Sequence, residues 1–160
     1  MTANERTARG LALLLPAALL AGAWGGQLFG GLIPCEMCHW QRWPHYAALV
    51  VALLALAAPW PRPGRFLVLA AAVLIAISGV IGVYQAGGEY HWWTLHTACT
   101  ATAPIVGATA AERLASLMAA PVIRCDVPQW TLFGISLAGF NAILSLGGAA
   151  VIASLLRKPR

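Results

Sequence analysis

Charge is scarce in this chain. Asp, Glu, Lys and Arg together make up 9% of its 160 residues, while 60% are hydrophobic; soluble domains carry roughly a quarter charged residues. A water-soluble fold of this length could not cover so much apolar surface. The deficit excludes that class and predicts an all-α integral membrane protein, one domain over residues 1–160. Ten Pro and sixteen Gly do not rescue a soluble reading, because the apolar runs are too long. The alternation of polar and apolar residues that barrel strands need in segments of about ten is absent too, so helices are expected. The second half holds no further Cys-x-x-Cys. The paired thiolates of a zinc knuckle are therefore missing, and no metal site is expected.

The apolar sequence that is present divides into four candidate spans: about 10–33, 43–60, 66–86 and 130–156. Each is long enough to cross roughly 30 Å of hydrocarbon at 1.5 Å per residue. The expected architecture is a four-transmembrane-helix bundle, with Pro16 as a possible kink in the first span. Small residues (Ala17, Ala18, Ala21 and Gly22; Ala70 to Ala72 and Gly79; Gly134, Gly139, Gly147 and Gly148) let helix backbones approach closely.

The few charges set an orientation. Arg6, Arg9, Arg62, Arg65, Arg157, Lys158 and Arg160, seven of the ten basic residues, fall at one end of the spans. The positive-inside rule assigns that end, with both termini, to the cytoplasm. The net charge of +5 is thus a topology signal and does not point to nucleic acid. A cleaved signal peptide ending near Ala21-Gly22-Ala23 is the alternative for the first span. Its apolar run exceeds a signal core of about 7–15 residues, and cleavage would put the remaining loops on the wrong sides for their charges.

The two external loops, about 34–42 and 87–129, hold all four cysteines: Cys35 and Cys38 in the first, Cys99 and Cys125 in the second. None lies within a span. Disulfides persist outside the cytosol, so the even count points to disulfide chemistry. His39, His45, His91 and His96 also fall on this side, as do Trp40, Trp43, Trp92, Trp93 and Trp130, which read as an interfacial aromatic belt. In the longer loop, Ala110, Leu114, Leu117 and Met118 recur at helical spacing. They predict a short amphipathic helix over Thr109 to Ala120, lying on the membrane surface.

Cys35 and Cys38 form a Cys-x-x-Cys pair, which can act as a dithiol/disulfide couple with one thiolate stabilised. Arg42 follows Cys38 by four residues. On a helix it shares that face and favours the thiolate; the plainer reading is an interfacial arginine snorkelling to water. Cys99 and Cys125 alone would read as a structural staple. Closing a loop of about 25 residues stabilises a fold by roughly 3–4 kcal/mol in the chain-entropy model.

The run Cys35-Glu36-Met37-Cys38-His39-Trp40-Gln41-Arg42-Trp43-Pro44 resembles the first-loop motif of the DsbB family, bacterial disulfide bond formation protein B. Gly82-Val83-Tyr84 through Thr97-Ala98-Cys99-Thr100, and Arg124-Cys125-Asp126, resemble that family's second loop. The resemblance covers nearly the whole chain. It implies an inner-membrane protein-dithiol:quinone oxidoreductase, part of the DsbA–DsbB–quinone system that keeps the bacterial periplasm oxidising. Cys99 and Cys125 would then oxidise a periplasmic DsbA-like thioredoxin-fold partner, with Cys99 the sulfur attacked. Cys35 and Cys38 would reoxidise that pair through a Cys35–Cys125 bridge. Cys38 would face ubiquinone or menaquinone, with Arg42 holding the thiolate and the quinone oxygen. Gln41 departs from members that carry Glu there. A family histidine tied to the quinone has no unambiguous counterpart, since Gln85, Glu89 and His91 compete. Two rivals are a quinone-linked thiol enzyme resembling vitamin K epoxide reductase, whose Cys-x-x-Cys comes late in the chain, and a membrane protein with two structural disulfides.

Overall fold

A computed structural model describes residues 1–96, 107–119 and 123–157. Five helices dominate: α1 (Ala3–Phe29), α2 (Glu36–Ala57), α3 (Arg62–Glu89), α4 (Ala110–Ala119) and α5 (Leu137–Arg157). A short antiparallel hairpin, β1 (Thr131–Leu132) and β2 (Ile135–Ser136), precedes α5.

Local chemistry sets the helix ends. Thr2 and Glu5 form a reciprocal capping box at the start of α1. Gly30 and Gly31 end it, Gly31 taking a φ of +66° that other residues avoid. Cys35 is the N-cap of α2, its Sγ accepting the Cys38 N–H at 3.3 Å. Glu36 in the first turn suits the positive end of the helix dipole. The stretch expected as a loop over about 34–42 is thus helical from Glu36, and the thiol motif opens a helix.

Beyond α3, His91 has a φ of 59° and the chain folds back. Trp93 stacks on Tyr84 and donates its Nε1–H to the Tyr84 carbonyl at 2.9 Å. Gly87 leaves the room: a Cβ there would lie 1.9 Å from the Trp93 ring.

The four long helices form a ring, each packing most extensively on two neighbours, α5 closing back on α1. They alternate in direction, since Arg9 near the start of α1 bonds the Ala55 carbonyl near the end of α2, and Arg65 near the start of α3 bonds the Leu156 carbonyl near the end of α5. Both arginines thus serve the negative ends of neighbouring helices. The core at that end is built largely from alanine (Ala8, Ala12, Ala48, Ala52, Ala55, Ala71, Ala72, Ala149) with Val68, Ile75 and Ile152. α3 meets α5 closely, a Cβ on Gly82 falling 2.9 Å from the Ala138 carbonyl oxygen.

Three of these helices, α1, α3 and α5, are long and apolar enough to cross a membrane. α2 is 22 residues long and begins with the polar motif, which lowers its mean hydropathy. α5 starts at Leu137, later than the expected 130. Residues 131–136 turn back on themselves instead, through Phe133 and Gly134, both at positive φ. Gly134 is therefore a turn residue and not a helix-packing one. Tyr90 pins the hairpin, its hydroxyl donating to the Gly134 carbonyl and accepting from the Ser136 N–H. At α4, Thr109 and Glu112 exchange capping bonds, and Leu114 and Met118 are exposed. Ala120 lies outside the described residues.

Candidate active site at the Cys35–Cys38 end of the bundle

The N-cap geometry of α2 brings Cys35 and Cys38 together, their Sγ atoms 2.7 Å apart. Cys35 is buried, and Cys125 joins it in one buried cluster with Met37 and Ile123. The segment carrying Cys125 is held there by Gln129, which donates to the Ile33 carbonyl at 2.6 Å and accepts from the Ile33 N–H at 3.0 Å. The structure therefore gathers three of the four expected cysteines. Cys99 lies outside the described residues.

The two motif thiols are not equivalent. Cys38 is lowered to about 7, first by the hydrogen bond from the Cys35 thiol, then with help from Gln85 and the Arg42 charge. Cys35 is pushed up because it keeps the shared proton and is buried. A lone ionised thiol in this pair is Cys38.

Arg42 sits one turn below Cys38 and is itself buried, 9% exposed. It does not snorkel. Its Nη1 donates to Gln27 Oε1 at 2.8 Å, its Nη2 to the Ala23 carbonyl at 3.3 Å, and its guanidinium lies over the Trp24 ring at 5.3 Å. All three partners are on α1, which fixes the charge in place.

A cavity of about 590 Å³ opens beside these groups, within the range of small-molecule sites. One wall is the small-residue face of α1 (Ala18, Gly22, Ala23, Gly26), another is Leu137, Ala138 and Phe140 of α5. Cys38, Gln41, Arg42, His45, Gln85, Glu89 and Asn141 supply its polar part.

Those polar residues form a continuous buried chain. Asn141 Nδ2 donates to Gln41 Oε1 at 2.7 Å, Gln41 Nε2 to Gln85 Oε1 at 2.6 Å, and Gln85 Nε2 to Glu89 Oε1 at 3.0 Å. The Gln85 amide also reaches Cys35 Sγ at 3.6 Å and Cys38 Sγ at 3.9 Å. Two buried atoms of residues that line the cavity, His45 Nδ1 and Glu89 Oε2, have no hydrogen-bond partner among the described residues.

Sequence reasoning placed Arg42 but left Gln85 and Glu89 unresolved, grouped His45 with the external histidines, and passed over Ser78, Asn141 and Ser145. His45 is in fact 3% exposed, inside the bundle. The available signal was polarity within an apolar helix, which in a membrane protein marks a functional position.

A thiol pair with one stabilised thiolate and a third cysteine against it is chemically able to exchange disulfides, and an apolar cavity lies alongside. The family model described as disulfide bond formation protein DsbB matches residues 5–155. The chain belongs to the DsbB family. It is 31% identical over 152 residues to disulfide bond formation protein B of Methylococcus capsulatus, covering 90% of this chain and 89% of the relative. It is 33% identical over 152 residues to disulfide bond formation protein B 2 of Pseudomonas syringae pv. syringae, covering 89% of this chain and 82% of the relative. No solved structure matches. Membership makes this a membrane thiol oxidoreductase that supports disulfide bond formation.

Proposed function

We propose that this chain is a protein-dithiol:quinone oxidoreductase of the bacterial inner membrane, one domain over residues 1–160 with four spans and both termini cytoplasmic. α2 is counted as the fourth span because it completes the helix ring. α4, with Leu114 and Met118 exposed, lies on the outer membrane surface. The observation that carries the redox reading is the position of the Cys35–Cys38 pair: Cys35 touches the Cys125 cluster on one side, and Cys38 borders the apolar cavity with Arg42 on the other.

The relay follows from exchange chemistry. A DsbA-like periplasmic dithiol attacks Cys99 of a Cys99–Cys125 disulfide and leaves oxidised, and both sulfurs of this pair become thiols. The Cys125 thiolate attacks Cys35 Sγ of a Cys35–Cys38 disulfide, forming a Cys35–Cys125 bridge. Cys38 departs as thiolate, and a leaving thiol of lowered pKa departs faster. Cys99 then attacks Cys125, which restores the outer disulfide and leaves the inner pair reduced with two electrons to give up.

The residues around the cavity fit a quinone: apolar walls for the ring and tail, and Arg42 as a fixed donor. When bound, a quinone supplies a two-electron, two-proton acceptor. Cys38 presents the thiolate to it, Arg42 keeps that thiolate charged, and Cys35 retains the proton.

The test is spectrophotometric quinone reduction by the purified protein, driven by a reduced DsbA-like protein. The expected result is turnover that Cys38→Ser abolishes. Turnover that survives Cys38→Ser would sink the assignment.

A further inference from the structure

His45 lies two turns along α2 from Cys38 and lines the same cavity. Its hydrogen-bond network fixes which ring nitrogen holds the proton. The Ser78 main-chain carbonyl can only accept, and it takes a bond from Asn141 Nδ2 at 3.2 Å. That orients the Asn141 amide, so its Oδ1, an acceptor, is the atom 3.0 Å from His45 Nε2. Ser78 Oγ, 2.9 Å from Nε2, has already given its hydrogen to the Gln41 carbonyl at 2.8 Å. Ser145 Oγ, 3.4 Å from Nε2, gives its hydrogen to Asn141 Oδ1 at 2.9 Å. Every oxygen facing Nε2 therefore accepts, and Nε2 must carry the hydrogen. A doubly protonated ring would add an unpaired charge to the bundle interior one turn from the Arg42 guanidinium. The ring is therefore neutral, and Nδ1 is a bare lone pair. It is buried, in a residue 3% exposed, and it has no partner among the described residues.

An unprotonated nitrogen attracts a hydroxyl and offers nothing to a carbonyl. We infer that His45 Nδ1 accepts a hydrogen bond from the hydroxyl of a reduced ligand, so that the cavity binds a quinol in preference to the corresponding quinone. This rests on the reading of the cavity as a quinone site and adds the redox state it favours. A hydrogen bond of this kind is worth about 0.5–1.5 kcal/mol, up to roughly a tenfold preference. Tighter binding of the reduced form raises the potential of the bound couple, by about 30 mV for a tenfold ratio in a two-electron couple. His45 then strengthens the pull on electrons from Cys38 without touching a sulfur.

The experiment is anaerobic calorimetric titration of the purified full-length protein with decylubiquinol and with decylubiquinone. Wild type should bind the quinol up to about tenfold more tightly. In His45→Gln the amide Nε2 keeps a donor toward Asn141, and no acceptor remains at the Nδ1 position, since the amide Oε1 stands one bond further along the side chain. The variant's quinol-to-quinone affinity ratio should fall to about one. An unaltered quinol-to-quinone ratio in a folded His45→Gln protein overturns the inference and leaves the quinone site standing. Failure of wild type to bind either probe overturns both. Ring-nitrogen NMR of wild type labelled at histidine decides the matter should the variant not fold. The unprotonated His45 Nδ1 signal should move upfield with decylubiquinol and stay in place with decylubiquinone; a stationary signal with the bound quinol refutes the assignment.

Discussion

A thiol in the first turn of a helix, with an arginine one turn on, ionises more readily than a free cysteine. Cys38 is such a thiol, lowered to about 7. Because the shift is downward, the reactive thiolate dominates above that pH and is lost as pH falls through it. In the reduced protein, iodoacetamide should label Cys38 at a rate that rises through a midpoint near 7, while Cys35 stays slow over the same range. Arg42→Ala should move that midpoint upward and raise the apparent Michaelis constant for quinone more than that for the thiol partner. A change confined to the partner's constant would place Arg42 in docking. The Arg42–Cys38 relation was legible in the sequence, because a spacing of four fixes a shared helix face. The Gln27, Ala23 and Trp24 contacts were not, since they depend on how α1 and α2 are packed.

Helix–helix approach determines whether the polar chain can form at all. Gly82 lets α3 come close enough to α5 for Asn141 to reach the Ser78 carbonyl and the Gln41 amide together. Gly82→Val should cost about 1–3 kcal/mol by overpacking, read as a lower thermal midpoint in detergent, and should weaken quinone binding. Gly147→Ala is the control, since a Cβ there meets nothing within 4 Å, and it should do neither. The density of small residues was visible in the sequence, but which glycines touch a neighbour was not. Gly82 and Gly147 look alike in composition and differ only in facing. The hairpin ahead of α5 was also hidden. Trp130 to Ser136 is apolar enough to read as helix, and the turn becomes evident only when Tyr90 is seen holding it.

At the scale of the whole molecule, the ends of the bundle differ in kind. Arginine side chains bond helix carbonyls at one end, and thiols and amides gather at the other. The basic residues announced that division in the sequence. Reporter fusions after Pro63 and after Asp126 should give opposite readings, the first cytoplasmic; an external reading at Pro63 would reverse the assignment. The nearness of Cys125 to Cys35 was implied by family resemblance alone, because about 90 residues of chain separate them and no local pattern predicts such a contact. It has a direct test. In Cys38→Ser, Cys35 is a free thiol, and its attack on Cys125 of the Cys99–Cys125 disulfide, with Cys99 leaving as thiolate, should give a Cys35–Cys125 bridge, identified by non-reducing peptide mapping after acid quench. Finding Cys35 only as free thiol would separate the two pairs.

The ring closes where α5 meets α1, and that pair alone among neighbours has no loop joining it, since the two helices lie at opposite ends of the chain. The cavity is walled by those same helices. On the proposed reading of the cavity, this seam is where a hydrophobic molecule dissolved in the bilayer would enter, since α1 and α5 can part without stretching a connection. Cysteines introduced at Leu19 and Phe140 and joined by a short bifunctional maleimide should bar exchange with the lipid-dissolved pool while leaving thiol transfer among the native cysteines intact once those are protected as disulfides. A longer, flexible cross-linker at the same two positions should restore entry.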